Sequence, residues 1–132
     1  MLQTPKSRGF TLIELMVVVS LILILTAISI PRYELSLRRT KEAALRSNLF
    51  TLRTSIQQFA FEKQRAPRSL DELVSAGYLG EIPLDPITNS RSTWVVTDED
   101  VMRSADPTQP GIIDVHSGSQ ATALDGTPYS SW

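Results

Sequence analysis

From Leu12 to Ile30 the chain is one apolar run of 19 residues, apolar or small throughout except for Glu14 and the hydroxyls of Ser20, Thr26 and Ser29. At about 1.5 Å per helical residue, the run approaches the roughly 30 Å hydrocarbon thickness of a bilayer. It therefore predicts a spanning helix. Beyond Pro31 the pattern becomes amphipathic: Leu45, Leu49, Leu52, Ile56 and Phe59 recur at intervals of four and three, the period of a helix with one buried face. No Gly or Pro lies within Arg32 to Ala66, so one helix is expected to continue to about Lys63. Straight, residues 10–63 would extend about 80 Å. Pro31 lacks an N–H and crowds the turn before it, and is expected to kink or loosen the helix there.

Past Ala66 the periodicity shortens. Ser69 followed by Glu72 is a capping-box pattern and Gly77 suits a helix end, which predicts a short helix over 70–76. Tyr78 to Pro86 reads as turn-rich chain. The segments 93–97 (Thr-Trp-Val-Val-Thr) and 111–115 (Gly-Ile-Ile-Asp-Val) are the strand candidates, with Asp98-Glu99-Asp100 and Asp106 to Gly111 forming a polar loop between them. The aromatic residues Trp94, Tyr129 and Trp132 are expected to cover this small sheet. The fold class predicted is α+β: a long N-terminal helix packed against a small C-terminal antiparallel sheet.

Charge adds orientation. Lys6 and Arg8 precede the apolar run, predicting a cytoplasmic N-terminus and a domain delivered across the membrane. A secretory signal peptide would also start basic and apolar, but it would end in a small-residue cleavage site, and here the run leads into Ile30-Pro31-Arg32-Tyr33. Retention is the better reading. Glu14 makes the anchor unusual, because a carboxylate costs on the order of 2.5–3.5 kcal/mol at mid-membrane and less near the interface. Either it sits among lipid headgroups or a partner group meets it.

Gly9-Phe10-Thr11-Leu12-Ile13-Glu14-Leu15 after a short basic leader resembles the type IV prepilin signature, shared by type IV pilins and the pseudopilins of type II secretion. The resemblance implies a pilin-like fold, cleavage between Gly9 and Phe10 by a separate prepilin peptidase, N-methylation of Phe10, and pairing of Glu14 with the Phe10 amine of a neighbouring subunit. Pro31 falls where the family has its helix-kinking proline. On this basis the chain divides into a leader (1–9), a transmembrane and assembly half-helix (10–31), an amphipathic half-helix (32–65) and a small periplasmic domain of helix plus sheet (66–132). The stretch from Asp114 through Ser117 to Ser119, with Asp125-Gly126, resembles the region where major pseudopilins bind calcium. Asp114, Ser117 and Asp125 would then supply oxygen ligands to that cation; an ordinary Asx- and Gly-rich turn is the alternative.

The remaining chemistry narrows the function class. From Arg32 to Arg65 eight basic residues face three acidic ones; from Ala66 to Trp132 three face ten. Such opposed fields suit copies of one chain that meet each other. The basic residues are not interleaved with aromatic stacking platforms, so no nucleic acid is expected. There is no cysteine, hence no disulfide, which favours a pseudopilin over the many pilins that close a loop with one. His116 is the single histidine, so no histidine cluster or triad can form within one chain; it is expected at a strand end on the surface. No catalytic set is visible, and the chain is read as a non-enzyme. The expected product is a homopolymer, a type II secretion pseudopilus rooted in the bacterial inner membrane, working with minor pseudopilins and an inner-membrane assembly platform to move proteins outward. A type IV pilus subunit for adhesion, motility or DNA uptake is the alternative; a membrane-anchored enzyme or ligand-binding domain is the rival from another class.

Overall fold

A computed structural model describes residues 8–100, 102, 104 and 108–132. Lys6 of the basic leader and Asp106-Pro107 of the polar loop lie outside them. The elements run α1 (Leu12–Lys63), α2 (Leu70–Ser75), β1 (Trp94–Asp98), β2 (Ile112–Ser117) and a 3-10 turn, Tyr129–Ser131. Packing divides the chain into two units, one ending at Leu37 and the other comprising Arg38–Trp132.

In the first unit Thr11 caps α1: its hydroxyl accepts from the Glu14 N–H at 3.2 Å and its carbonyl from the Leu15 N–H at 3.1 Å. Three hydroxyls inside the apolar run donate back to the carbonyls four residues earlier, Ser20 to Met16, Thr26 to Ile22 and Ser29 to Leu25, at 2.7–2.8 Å. These three hydroxyls are therefore satisfied within the helix, as a lipid environment demands. The helix continues through Pro31, which supplies no N–H to the Ala27 carbonyl.

In the second unit the predicted stripe is the buried face of α1: Leu45, Leu49, Leu52, Ile56 and Phe59, joined by Glu42 and Ser55. Leu70, Leu73, Leu79, Trp94, Ile112, Val115, Ala123 and Tyr129 close the core over it. The helix ends at the residue expected, and Gln64 takes the left-handed conformation (φ 56°) that a glycine would usually supply. Its side-chain amide donates to the Phe61 carbonyl at 2.6 Å.

Helix α2 is capped by the Ser69 hydroxyl, which accepts from the Glu72 N–H at 3.2 Å. The reciprocal arm of the box reaches one residue further than expected, since Glu72 accepts from the Arg68 N–H at 2.7 Å. At the other end the Tyr78 N–H returns to Leu73 and the Gly77 N–H to Val74, with Gly77 at φ 84°. This Schellman closure turns the chain into the core, where Tyr78 meets Phe59 edge-on at 5.3 Å.

The strands pair antiparallel in the register Trp94 with Ser117 through Thr97 with Asp114, then slip by a bulge before Asp98 pairs with Ile112. Each begins one residue later than expected, and β2 runs on to Ser117. His116 is consequently a half-buried strand residue rather than a surface strand end, its Nδ1 2.7 Å from the Trp132 main-chain oxygen. On its side away from β1, β2 is closed by other groups: the Ile112 N–H donates to Pro67, the Val115 N–H to the Asp114 carboxylate, and the Val115 carbonyl accepts from Arg53.

Gly118 follows β2 where Thr93 crosses; a Cβ there would lie 2.1 Å from the Thr93 carbonyl oxygen. Gly118→Ala is therefore expected to destabilise the domain by about 1–3 kcal/mol. Gly80→Ala, whose Cβ would meet nothing within 4 Å, should shift stability by no more than about 0.5 kcal/mol. Denaturant unfolding of the two variants checks the contrast.

Candidate functional site

The chain enters α1 through four non-helical residues, Arg8 to Thr11. A Cβ added at Gly9 would meet nothing within 4 Å and Phe10 is 80% exposed, so the Gly9–Phe10 bond lies on accessible, non-helical chain ahead of the helix. Backbone in that state is what a peptidase can bind. Arg8, Gly9, Phe10 and Glu14 line one concave site of about 480 Å³. Glu14 is held in the first helical turn by the Thr11 cap, where a carboxylate also complements the helix dipole. Every residue from Leu12 to Ile30 is exposed, and this segment is long and apolar enough to cross a membrane. So broad an apolar surface requires cover from lipid or protein. The expected site residues Gly9, Phe10 and Glu14 thus share one end of one helix.

The three residues expected to hold calcium are each engaged with a different partner. Asp114 accepts from Arg53 Nε at 2.7 Å and from the Val115 N–H at 2.7 Å. Ser117 donates to buried Asp85 at 2.6 Å. Asp125 accepts from both the N–H and the hydroxyl of Thr127, an Asx-type turn. Among the described residues no group of three His, Asp or Glu side chains is placed to hold a metal ion. In this arrangement the three side chains turn to separate partners rather than to one point. Arg53 adds bonds of 2.9 Å to the main-chain oxygens of Val115 and Trp132.

Two polar residues that hold this region, Glu42 and Asp85, escaped the sequence reading. Glu42, 6% exposed, accepts from the Leu124 N–H at 2.8 Å and the Tyr129 hydroxyl at 2.9 Å. Its signal was available, since position 42 continues the stripe three residues before Leu45. Asp85, fully buried, accepts from the Ile87 and Thr88 N–H groups and from Ser117. Nothing local marks it beyond a turn-forming Asp before Pro86. Tyr129 packs edge-on against Trp132 at 5.2 Å, and Arg46 stacks over Trp132 at 4.1 Å. The aromatic pair expected over the sheet is therefore bound to α1 as well as to β2.

Burial pushes the Asp114 carboxyl up, but the Val115 N–H and Arg53 outweigh it and hold the group below its ordinary value. A depressed carboxylate contributes stability that is complete above the unfolded value, about 3.9, and is lost as pH falls through the lower folded value. Acid unfolding of the full chain in detergent should begin at lower pH than that of Asp114→Asn, which lacks this dependence. The same melting experiment with a chelator at neutral pH should give an unchanged midpoint; a fall would show that Asp114 and Asp125 turn towards a cation.

The prokaryotic N-terminal methylation motif family matches residues 4–30. The chain is 48% identical over 61 residues to the type IV major pilin protein PilA of Myxococcus xanthus, covering 46% of this chain and 28% of that one. It is 46% identical over 57 residues to the prepilin peptidase-dependent protein D of Escherichia coli, covering 43% and 39%. With a type IV major fimbrial protein FimA of Dichelobacter nodosus it shares 36% identity over 73 residues, covering 55% and 46%. The chain thus spans less than half the length of these relatives. No solved structure gives a significant match. The motif, the relatives and the long apolar helix leading into a small α+β domain agree: the chain is type IV pilin-like.

Proposed function

We propose that this chain is the structural subunit of a helical filament assembled from the bacterial inner membrane. The observation that carries the reading is Glu14, set in the first turn of an exposed apolar helix beside Phe10. Cleavage at Gly9–Phe10 by a prepilin peptidase creates an ammonium group at Phe10, which methylation leaves cationic. In low dielectric that cation and the Glu14 carboxylate of the next subunit relieve each other's desolvation; removing one partner of a buried pair costs about 3–5 kcal/mol. The apolar flank of Leu12 to Ile30 exchanges lipid for neighbouring helices, and Pro31 gives the helix a point at which to loosen as subunits join. The domain from Arg38 onward lies on the periplasmic side.

Two filaments fit this subunit. A type II secretion pseudopilus, with minor pseudopilins and an inner-membrane platform as partners, is supported by the absence of cysteine. A surface pilus is favoured by the relatives, whose names are those of type IV major pilins and fimbrial proteins. Deleting the gene separates them: loss of protein secretion with no missing surface fibre supports the pseudopilus, and loss of a surface fibre supports the pilus.

Glu14→Ala tests the shared core of the proposal. Leader cleavage, read as a mass shift of the membrane-bound chain, should proceed nearly as before, while sheared or membrane-attached filaments seen by electron microscopy should disappear. Filaments at normal abundance in the variant would refute the pairing.

A further inference from the structure

The apolar run leads directly into a cluster of cations. Residues 31–41, which follow Ile30, carry four basic residues, Arg32, Arg38, Arg39 and Lys41, and one acidic residue, Glu34, a net charge of +3. All five lie on α1 and are exposed. Arg38 donates to the Thr122 carbonyl at 3.1 Å. Among the described residues, Arg32, Arg39 and Lys41 have no acidic side chain within ion-pairing distance. Tyr33, 70% exposed, stands just past the run, where aromatic side chains take the headgroup level of a bilayer, and Leu35 and Leu37 carry exposed apolar surface up to Arg38.

We propose that Arg32, Arg39 and Lys41 form a collar that binds the anionic phospholipid headgroups of the leaflet where α1 leaves the membrane. Continuity with the lipid-covered run names the occupant, because the cations begin two residues after Ile30. Their distribution agrees. Arg39 and Lys41 leave the helix axis about 160° apart, with Arg38 between them. A protein groove meets one face of a helix, whereas a plane of headgroups around a helix meets every side. Helical side chains also lean toward the N-terminus, here toward the apolar run, and long basic chains extend along apolar surface to place their charge among headgroups. The rule that keeps basic residues in the cytoplasm does not oppose this placement. It governs short loops, and the chain that follows the run is residues 31–132. Removal of the leader takes Lys6 and Arg8 away, so the collar is then the nearest basic cluster to the run. Only the leaflet named rests on the filament reading; the collar holds the subunit in the membrane before it joins a filament.

The chain has no cysteine, so a donor fluorophore on Ala43→Cys, an exposed position of α1, reports from one place. The full chain in phosphatidylcholine vesicles is given trace acyl-labelled phosphatidylglycerol or phosphatidylcholine as energy-transfer acceptor. Transfer should show the anionic lipid enriched about fivefold or more beside the label, the effect of one basic residue at a charged surface or larger. Arg32→Gln/Arg39→Gln/Lys41→Gln should bring the ratio close to one, as should about 1 M salt, where screening acts within about 3 Å. Lys41→Arg and Arg91→Gln, the latter remote from the collar in sequence, should keep the enrichment. Equal transfer to the two lipids, or an enrichment indifferent to the triple variant, overturns the collar. Loss of filaments in the triple variant with enrichment unchanged assigns these cations to protein neighbours and overturns it as well. Enrichment that needs the three cations upholds the collar even if Glu14→Ala builds normal filaments, an outcome that refutes the filament pairing alone.

Discussion

A carboxylate at the head of an apolar helix is a constraint that one copy of the chain does not resolve. Glu14 sits where α1 begins, and the following turns present apolar surface on every side. Lipid covers the surface but does not pair the charge; a neighbouring helix end bearing an amine does both. The hydroxyls of Ser20, Thr26 and Ser29 make the contrast plain, because each is satisfied inside its own helix. Glu14 is the group for which the account requires a second molecule.

The domain beyond Arg38 meets a different demand, that of holding segment 121–132 without a disulfide. It does so from α1. Arg38 donates to the Thr122 carbonyl, Glu42 accepts from Leu124 and Tyr129, Arg46 stacks on Trp132, and Arg53 joins Asp114, Val115 and Trp132. These residues recur at intervals of four, four and seven, the repeat of one helix face. Burying Glu42 is tolerable because both donors reach it; withdrawing a partner from a buried polar group typically costs about 1–3 kcal/mol. Phe50 and Phe61 stay exposed beside this ladder.

Features with a local cause were legible in the sequence. The Leu45 to Phe59 stripe, the Ser69 cap, the Gly77 closure and both strands follow from spacing and turn chemistry, and the structure has them within a residue or two. The Gly9 to Glu14 motif was legible because its chemistry is contiguous. What escaped depends on pairs distant along the chain: Glu42 with Leu124, Arg53 with Asp114, Asp85 with Ser117. A run of Asp, Ser and Gly between Asp114 and Gly126 suggests oxygen donors for a cation, yet composition carries no information on which way each carboxylate turns. Here Arg53 on α1 holds Asp114, and Thr127 holds Asp125.

The central claim concerns one distance. Electron cryo-microscopy of filaments from cells expressing this chain, at a resolution that shows side chains, would place the Phe10 amine relative to Glu14. The account predicts the methylated amine of one subunit within hydrogen-bonding reach of the Glu14 carboxylate of another, inside a core of apolar helices. A Glu14 that faces solvent, or that pairs only within its own subunit, would contradict it.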